Sequence, residues 1–169
     1  MLPGVALLRR ALPADAAAMA AVLAAAFAEF EALYTPGAFA ATTPGAEAIA
    51  QRFGEGPQWV AERGGAIVGA ASAVPKEAGL YVRSVAVLPA ARGQRLGVQL
   101  MAQVEAYARA QGFPRLFLST TPVLTGAIQM YAALGFERRD EGPSDLFGQP
   151  LFTMVKALPS GGSPERRPR

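Results

Sequence analysis

The chain has 169 residues, of which 51% are hydrophobic and 17% charged, and its formal net charge is +3 at pH 7. This length predicts one domain with one hydrophobic core over residues 1–158, and the low charge content excludes a mostly disordered chain. The chain has neither cysteine nor histidine, which excludes disulfides, thiolate nucleophiles, serine–histidine hydrolases and histidine-ligated zinc. We therefore expect no metal, and any chemistry must use carboxylates, tyrosine, hydroxyl groups, the backbone or a bound cofactor.

The distribution of charged and apolar residues predicts a cytoplasmic protein. Asp15 and Glu29 bracket the alanine-rich stretch of residues 14–30, so no uninterrupted apolar run approaches the roughly 20 residues that span a bilayer. Residues 1–10 lack the order of a signal peptide. The basic residues form no stripe interleaved with aromatic residues, so we expect no nucleic-acid or membrane partner. Residues 159–169 hold three arginines and one glutamate and are predicted to be a disordered basic tail.

Hydrophobic periodicity and turn residues predict a mixed α/β domain with a partly parallel sheet. We expect about seven strands in one central sheet, flanked by about four helices. In chain order, the predicted elements are a strand over 5–9, a helix over 15–30, a loop over 34–43, a helix over 44–54, strands over 58–62, 66–74 and 79–88, a helix over 96–110, a strand over 115–119, a helix over 122–134, and strands over 136–139 and 151–158.

The stretch from Ser84 to Leu100 carries the clearest chemical signal. It is typical of a buried strand, a tight turn and a glycine-bearing entry into a helix, whose first amides lack intrahelical partners. Gly93 and Gly97 let the backbone approach a ligand closely, and Arg92 and Arg95 add positive charge. These residues predict an anion site suited to phosphate. Glycine at such a turn also serves plain turn formation, and that alternative stays open here.

Two motifs in this chain resemble those of the GNAT superfamily of N-acetyltransferases. Residues 92–97 are similar to the family's acetyl-CoA-binding pattern Gln/Arg-x-x-Gly-x-Gly/Ala. Residues 127–136 resemble its second signature, a helix with Ala-x-x-x-Tyr that closes with Gly-Phe. The resemblance covers about residues 5–158 and implies a GNAT-like fold. It also implies transfer of an acetyl group from acetyl-CoA to the primary amine of a small molecule or peptide. Homodimers are common in the family.

The resemblance also assigns roles to individual residues. Tyr131 matches the tyrosine that protonates the leaving thiolate of coenzyme A, although a helical tyrosine can also simply pack against the sheet. Phe30, Tyr34 and Phe39 come from the segment that forms the acceptor wall. The implied acetyl-CoA-binding residues are Val85, Ala86, Val87, Arg92, Gly93, Gln94, Arg95, Leu96, Gly97, Val98, Ala127 and Tyr131.

The chain departs from the family pattern in three places. Arg95 occupies the internal glycine of the first motif, and Leu124 stands where many members have asparagine. The strand over residues 80–84 lacks the glutamate that serves many members as a base, and Glu77 is expected in the preceding hairpin turn.

The missing glutamate leaves the deprotonation of the amine open. The acidic residues that could lie near the acceptor are Glu29, Glu31, Asp140, Glu141 and Asp145. A solvated surface charge is the favoured interpretation of each, and the amine can instead lose its proton to water or bind already neutral. Two further alternatives follow: a non-catalytic sensor that binds acyl-CoA, and an interaction domain that retains only the fold. The acceptor itself stays open among small amines, amino acids, antibiotics and protein N-termini.

Overall fold

The computed structural model describes residues 4–159 and is built around a seven-stranded mixed sheet. The sheet order is β1-β2-β3-β4-β5-β9-β6, in which β4 and β5 are parallel and the other neighbours are antiparallel. Its strands are β1 (Leu7–Arg10), β2 (Gln58–Arg63), β3 (Ala66–Lys76), β4 (Gly79–Val87), β5 (Arg115–Thr120), β6 (Glu137–Arg139) and β9 (Phe152–Ala157). The predicted mixed α/β fold with a partly parallel seven-stranded sheet is thereby confirmed.

Helices cover both faces of the sheet. They are α1 (Ala16–Phe27), α2 (Pro36–Thr42), α3 (Ala46–Arg52), α4 (Leu96–Ala110) and α5 (Thr125–Ala133). On one face, Leu100 and Val104 of α4 are buried with Leu80 of β4. On the other face, Leu23 of α1 and Ile49 of α3 are buried together. Each such side chain contributes roughly 1.5–3 kcal/mol by leaving water, so the two cores fix β4 between the helix layers.

The structure corrects the predictions for residues 28–54. The predicted loop over residues 34–43 contains helix α2, because Thr35 caps it by accepting from the Ala38 amide (3.3 Å) and Pro36 occupies its first turn. The next helix begins at Ala46 with Gly45 as its N-cap, two residues later than the Thr43-Pro44 pair suggests. Helix α1 ends at Phe27 and continues as 3-10 turns over Ala28–Leu33.

A small hairpin that no sequence pattern predicted lies against the start of α2, where the Thr35 hydroxyl donates to the Phe147 carbonyl (2.8 Å). Its strands are β7 (Asp145–Leu146) and β8 (Gln149–Pro150). Glu77 lies in the turn between β3 and β4, as predicted. The predicted tail over residues 159–169 lies outside the described residues, apart from Pro159.

The helical run Pro13–Leu33 is long and apolar enough to cross a membrane by length and composition, with a mean hydropathy of 1.7. The run contains Asp15, Glu29 and Glu31, so it meets the criterion by mean hydropathy and not as an uninterrupted apolar stretch. Core helices of soluble proteins meet the same criterion. Within this fold, α1 buries Met19, Val22 and Leu23, and 28% of the most apolar stretch of the run is buried.

Candidate active site

The two parallel strands at the centre of the sheet separate soon after they meet. β4 and β5 pair only at Leu80 with Leu116 and at Tyr81 with Phe117. Beyond Tyr81, the edge of β4 that faces β5 has no strand partner among residues 4–159. Unpaired backbone groups at a strand edge can pair with another extended chain. The wedge between the strands can therefore accept an extended ligand that carries amide groups.

A bulge in β4 lies at the start of this wedge. The register with β3 shifts between Ala70 and Ser72, which pair with Ala86 and Arg83 respectively. Ser84 lies in the bulge with φ at 57°, in the left-handed region that costs a residue with a side chain on the order of 1–3 kcal/mol. Bulges of this kind re-aim neighbouring backbone groups. The bulge thus turns the edge of β4 toward the wedge.

The turn between β4 and α4 presents a run of backbone amides with no acceptor. The first bond into α4 runs from the Gln99 amide to the Arg95 carbonyl (3.0 Å). None of the amides from Gly93 to Val98 donates to a group within residues 4–159. Gly93 has φ at 87°, a conformation that glycine adopts without strain. Unpaired amides at the positive end of a helix dipole form an anion site.

The two arginines of this turn behave differently. Arg92 donates to the Ala26 carbonyl (3.1 Å) and forms an ion pair with Glu29, so part of its charge is already compensated. Arg95 is the N-cap of α4 with φ at 58°, which explains why glycine fits this motif position well. The Arg95 side chain is exposed and makes no hydrogen bond or ion pair within the described residues.

The wedge opens into a cavity of about 830 Å³. This volume is within the range of small-molecule sites, roughly 300–1,000 Å³. Gln94 and Phe39 do not line the cavity: the Gln94 carbonyl accepts from Gln99 (3.1 Å), and Phe39 packs edge-on against Tyr34 (6.1 Å). The other residues that the sequence predicted for the site line it, namely Phe30, Tyr34, Val85, Ala86, Val87, Arg92, Gly93, Arg95, Leu96, Gly97, Val98, Ala127 and Tyr131.

Tyr131 reaches the cavity from α5. It is 7% exposed, and its ring packs against Phe136 at 5.6 Å between centroids. Its hydroxyl makes no hydrogen bond within residues 4–159, and burial raises the pKa of the phenol well above its ordinary value. A phenol in this state keeps its proton at neutral pH and can donate it to an anion that forms in the cavity.

Among the five carboxylates considered as a base, Asp145 alone lines the cavity. Asp145, in the hairpin of β7 and β8, accepts from the Gly148 amide (3.1 Å). Glu29 is paired with Arg92. Glu141 accepts from Arg115 (2.6 Å), which lowers the pKa of that carboxyl. The arrangement therefore leaves Asp145, or water, to take a proton from a bound amine.

The polar groups on the α3 side of the cavity were not predicted from the sequence. Arg52 of α3 and Arg83 of β4 both line the cavity, and Arg52 donates to the Ser84 hydroxyl (2.8 Å). No local sequence pattern indicates this contact, because Arg52 and Ser84 are 32 residues apart. The left-handed backbone at Ser84 also has no sequence signal, because the residue there is not a glycine.

Gln149 of β8 is a second group that the sequence analysis missed. It is 4% exposed. Its side chain accepts from the Thr35 amide (3.0 Å) and donates to the Thr121 hydroxyl (3.0 Å) and the Leu33 carbonyl (3.3 Å). These bonds tie the start of α2 and the end of the 3-10 turns to the end of β5. Gln149 thus fixes the wall that carries Tyr34, whose hydroxyl has a pKa raised by burial.

Comparisons with known proteins agree with this geometry. The model of the acetyltransferase (GNAT) family matches residues 19–136. N-acetyltransferase 8 of Rattus norvegicus is 34% identical over 114 residues, which cover 60% of this chain and 50% of that protein. IAA acetyltransferase of Azospirillum brasilense is 37% identical over 102 residues, or 59% of this chain and 65% of that protein. The chain spans about half the length of two of the curated relatives that it matches, 50% and 52% respectively.

Solved structures share the whole architecture. Ribosomal-protein-alanine N-acetyltransferase from Brucella melitensis is 28% identical with a TM-score of 0.71, and the match covers 90% of this chain and 99% of that one. PaiA N-acetyltransferase from Thermoplasma acidophilum, in complex with coenzyme A, has a TM-score of 0.78 at 12% identity and covers 91% and 99% of the two chains. The latter likeness concerns the fold alone.

Proposed function

This chain belongs to the GNAT acetyltransferase family, and we propose that it transfers an acetyl group from acetyl-CoA to a primary amine by direct attack. The observation that carries the proposal is one cavity that combines unpaired amides, an open strand edge and a buried phenol. The unpaired amides extend from Gly93 to Val98, and Tyr131 lines the same cavity.

The residues of the cavity fit acetyl-CoA as the acyl donor. The amides from Gly93 to Val98 would hold the pyrophosphate, because they are unpaired and lie at the N-terminus of α4. The free edge of β4 at Val85–Val87 would pair with the amides of the pantetheine arm. Ala127 lines the cavity opposite, and its small side chain leaves room for that arm.

The reaction requires one bond to form and one to break. The neutral amine attacks the thioester carbonyl carbon, the carbon–sulfur bond breaks, and sulfur leaves as a thiolate. Tyr131 donates its proton to that sulfur, and Asp145 or water takes the proton that the amine nitrogen loses. Positioned proton donors of this kind are typically worth 10²–10⁴ in rate. No side chain is required to carry the acetyl group between the two partners.

Release of free coenzyme A in the presence of amines tests the proposal. The purified chain is incubated with acetyl-CoA and a panel that contains neutral amines, free amino acids and short peptides with free N-termini. We expect thiol release that depends on at least one amine and yields an acetylated product by mass spectrometry. Coenzyme A binding without release across the panel would favour the sensor alternative. Absence of both coenzyme A binding and thiol release would favour an interaction domain. The cytoplasmic location, the single domain over 1–158 and the homodimer stay predictions.

A further inference from the structure

The α3 side of the cavity carries positive charge that the proposed reaction does not use. Arg52 and Arg83 both line the cavity there. Arg83 forms an ion pair with Glu55, whereas Arg52 belongs to none of the ion pairs formed within residues 4–159. This wall therefore carries two guanidinium groups, of which Arg83 alone is paired with a carboxylate of the described chain.

These two arginines are half-buried, and each has N–H groups without an acceptor in the described chain. Arg52 donates one bond, to the Ser84 hydroxyl (2.8 Å), and its other nitrogens make none within the described chain. The buried Nε of Arg83 also has no partner there. Burial, together with the neighbouring charge of Arg83, lowers the pKa of Arg52 to about 10. Buried charges in proteins are normally paired, so an anionic ligand would complete this wall.

Arg52 lies close to the proposed path of the thioester. Ser84, which Arg52 contacts, directly precedes Val85, and one residue advances a strand by about 3.3 Å. An anion on Arg52 would therefore lie beside the strand edge along which the thioester is proposed to bind. An α-amino acid separates its carboxylate from its amine by a single carbon. A guanidinium matches the planar geometry of a carboxylate with parallel hydrogen bonds.

Apolar side chains outside the proposed acetyl-CoA motifs also line the cavity. Phe27, Phe30 and Tyr34 come from the end of α1 and the 3-10 turns after it, and Leu146 and Leu151 come from the hairpin and the residue that follows it. These side chains favour an apolar group. Asp145, also at the cavity, supplies the opposite charge that an ammonium group requires.

We infer that the acceptor is an α-amino acid with an apolar side chain, and that Arg52, together with Arg83, binds its carboxylate. This inference rests on the proposed function. It distinguishes the chain from an enzyme for peptide N-termini, because the first residue of a peptide has an amide in place of the carboxylate.

Matched amine pairs test the inference. L-phenylalanine is compared with phenethylamine, and L-leucine with isopentylamine, so that each pair differs only in the carboxylate. We expect at least one amino acid to exceed its amine partner tenfold or more in kcat/KM. In Arg52→Met that ratio should fall about tenfold to hundredfold, the range for a hydrogen bond to a charged group. Because the ratio compares two acceptors in the same variant, a general effect of Arg52→Met on the Ser84 bulge or on coenzyme A binding cancels from it.

Arg109→Met is the matched control, because Arg109 lies on α4, pairs with Glu105 (3.6 Å) and does not line the cavity. It should leave every ratio unchanged. Turnover of neutral amines as fast as amino acids, or an unchanged ratio in Arg52→Met, would overturn the inference and leave the proposed function intact.

Binding provides a second readout that does not depend on turnover. N-acetyl-L-phenylalanine and N-acetylphenethylamine are titrated calorimetrically into the protein saturated with coenzyme A. We expect the carboxylate compound to bind at least tenfold tighter, with the difference lost in Arg52→Met. Equal binding, or no binding of the carboxylate compound, contradicts the inference. A carboxylate preference without thiol release would support carboxylate binding by Arg52 and would contradict the proposed acetyl transfer.

Discussion

Glu29 and Arg92 form an ion pair that joins the 3-10 turns after α1 to the turn before α4. The pair connects the acceptor wall with the proposed pyrophosphate site, and it uses a carboxylate that the sequence analysis considered as a base. Both side chains are roughly half exposed, at 42% for Arg92 and 49% for Glu29.

From this pairing we predict that Glu29→Gln retains catalysis. Glu29 does not line the cavity, and an exposed ion pair contributes about 0–1 kcal/mol to stability. The kcat with any accepted amine should therefore stay within about twofold and the melting temperature should barely move. A loss of a hundredfold or more in steady-state turnover would instead place Glu29 in the proton transfer.

Gly97 offers a test of the pyrophosphate site. Gly97→Glu should abolish binding of coenzyme A, because the glutamate adds bulk beside the amides of α4 and a negative charge that repels the pyrophosphate. A Cβ at this position would lie 2.9 Å from the Met130 sulfur. Gly97→Ala is therefore the control for that contact, and the flexible methionine should let it bind with modest loss. Unchanged calorimetric affinity in a folded Gly97→Glu variant would rule out the assignment.

Arg95 allows charge and backbone conformation to be separated. Its left-handed φ of 58° costs a non-glycine residue on the order of 1 kcal/mol. We predict that Arg95→Ala and Arg95→Gly both lose at most about 1 kcal/mol of coenzyme A affinity, as for an exposed ion contact. Arg95→Gly should melt at a higher temperature than Arg95→Ala, since glycine removes the strain. The opposite order in thermal unfolding, or a loss of several kcal/mol in affinity, would contradict this account.

Much of the fold follows from local sequence signals. The glycine-bearing turn and the apolar face of α4 gave the position of the amide run, and Gly64-Gly65 gave the hairpin between β2 and β3. Helix α2 was missed because it is short and contains Gly37, so its stability depends on the Thr35 cap and on Gln149. Sequence patterns report local conformation, whereas such contacts exist only after distant segments meet.

The same limit applied to the candidate site. Arg52 and Ser84 are 32 residues apart, and Ser84 adopts its left-handed conformation because the register of β3 and β4 shifts beside it. The resemblance to a family identified the acetyl-CoA motifs, which repeat among its members. It also assigned Phe30, Tyr34 and Phe39 to the acceptor wall, but it did not identify the acceptor, because acceptor loops vary independently of the cofactor motif.

Asp145 gives a prediction about the amine. Asp145→Asn should lower kcat/KM for the acceptor by tenfold or more at neutral pH, where the amine arrives protonated and must lose a proton. The deficit should shrink as pH rises toward the pKa of the amine, because more of the acceptor then binds already neutral and needs no base before it attacks. Calorimetric titration of coenzyme A into Asp145→Asn should give the same affinity as for the parent. A pH-independent deficit would indicate that Asp145 only holds the hairpin.

Tyr131→Phe tests the central claim most directly, since it keeps the ring that packs on Phe136 and removes only the proton donor. We predict that kcat at neutral pH falls by about 10²–10⁴, while coenzyme A affinity and melting temperature stay close to those of the parent. The deficit should shrink as pH rises past the pKa of a thiol, about 8.5, because the thiolate then leaves without a proton. Tyr107→Phe, on α4 against Trp59 and outside the cavity, is the control and should turn over normally. A Tyr131→Phe variant that releases coenzyme A as fast as the parent at neutral pH would contradict the assignment of Tyr131 as the proton donor.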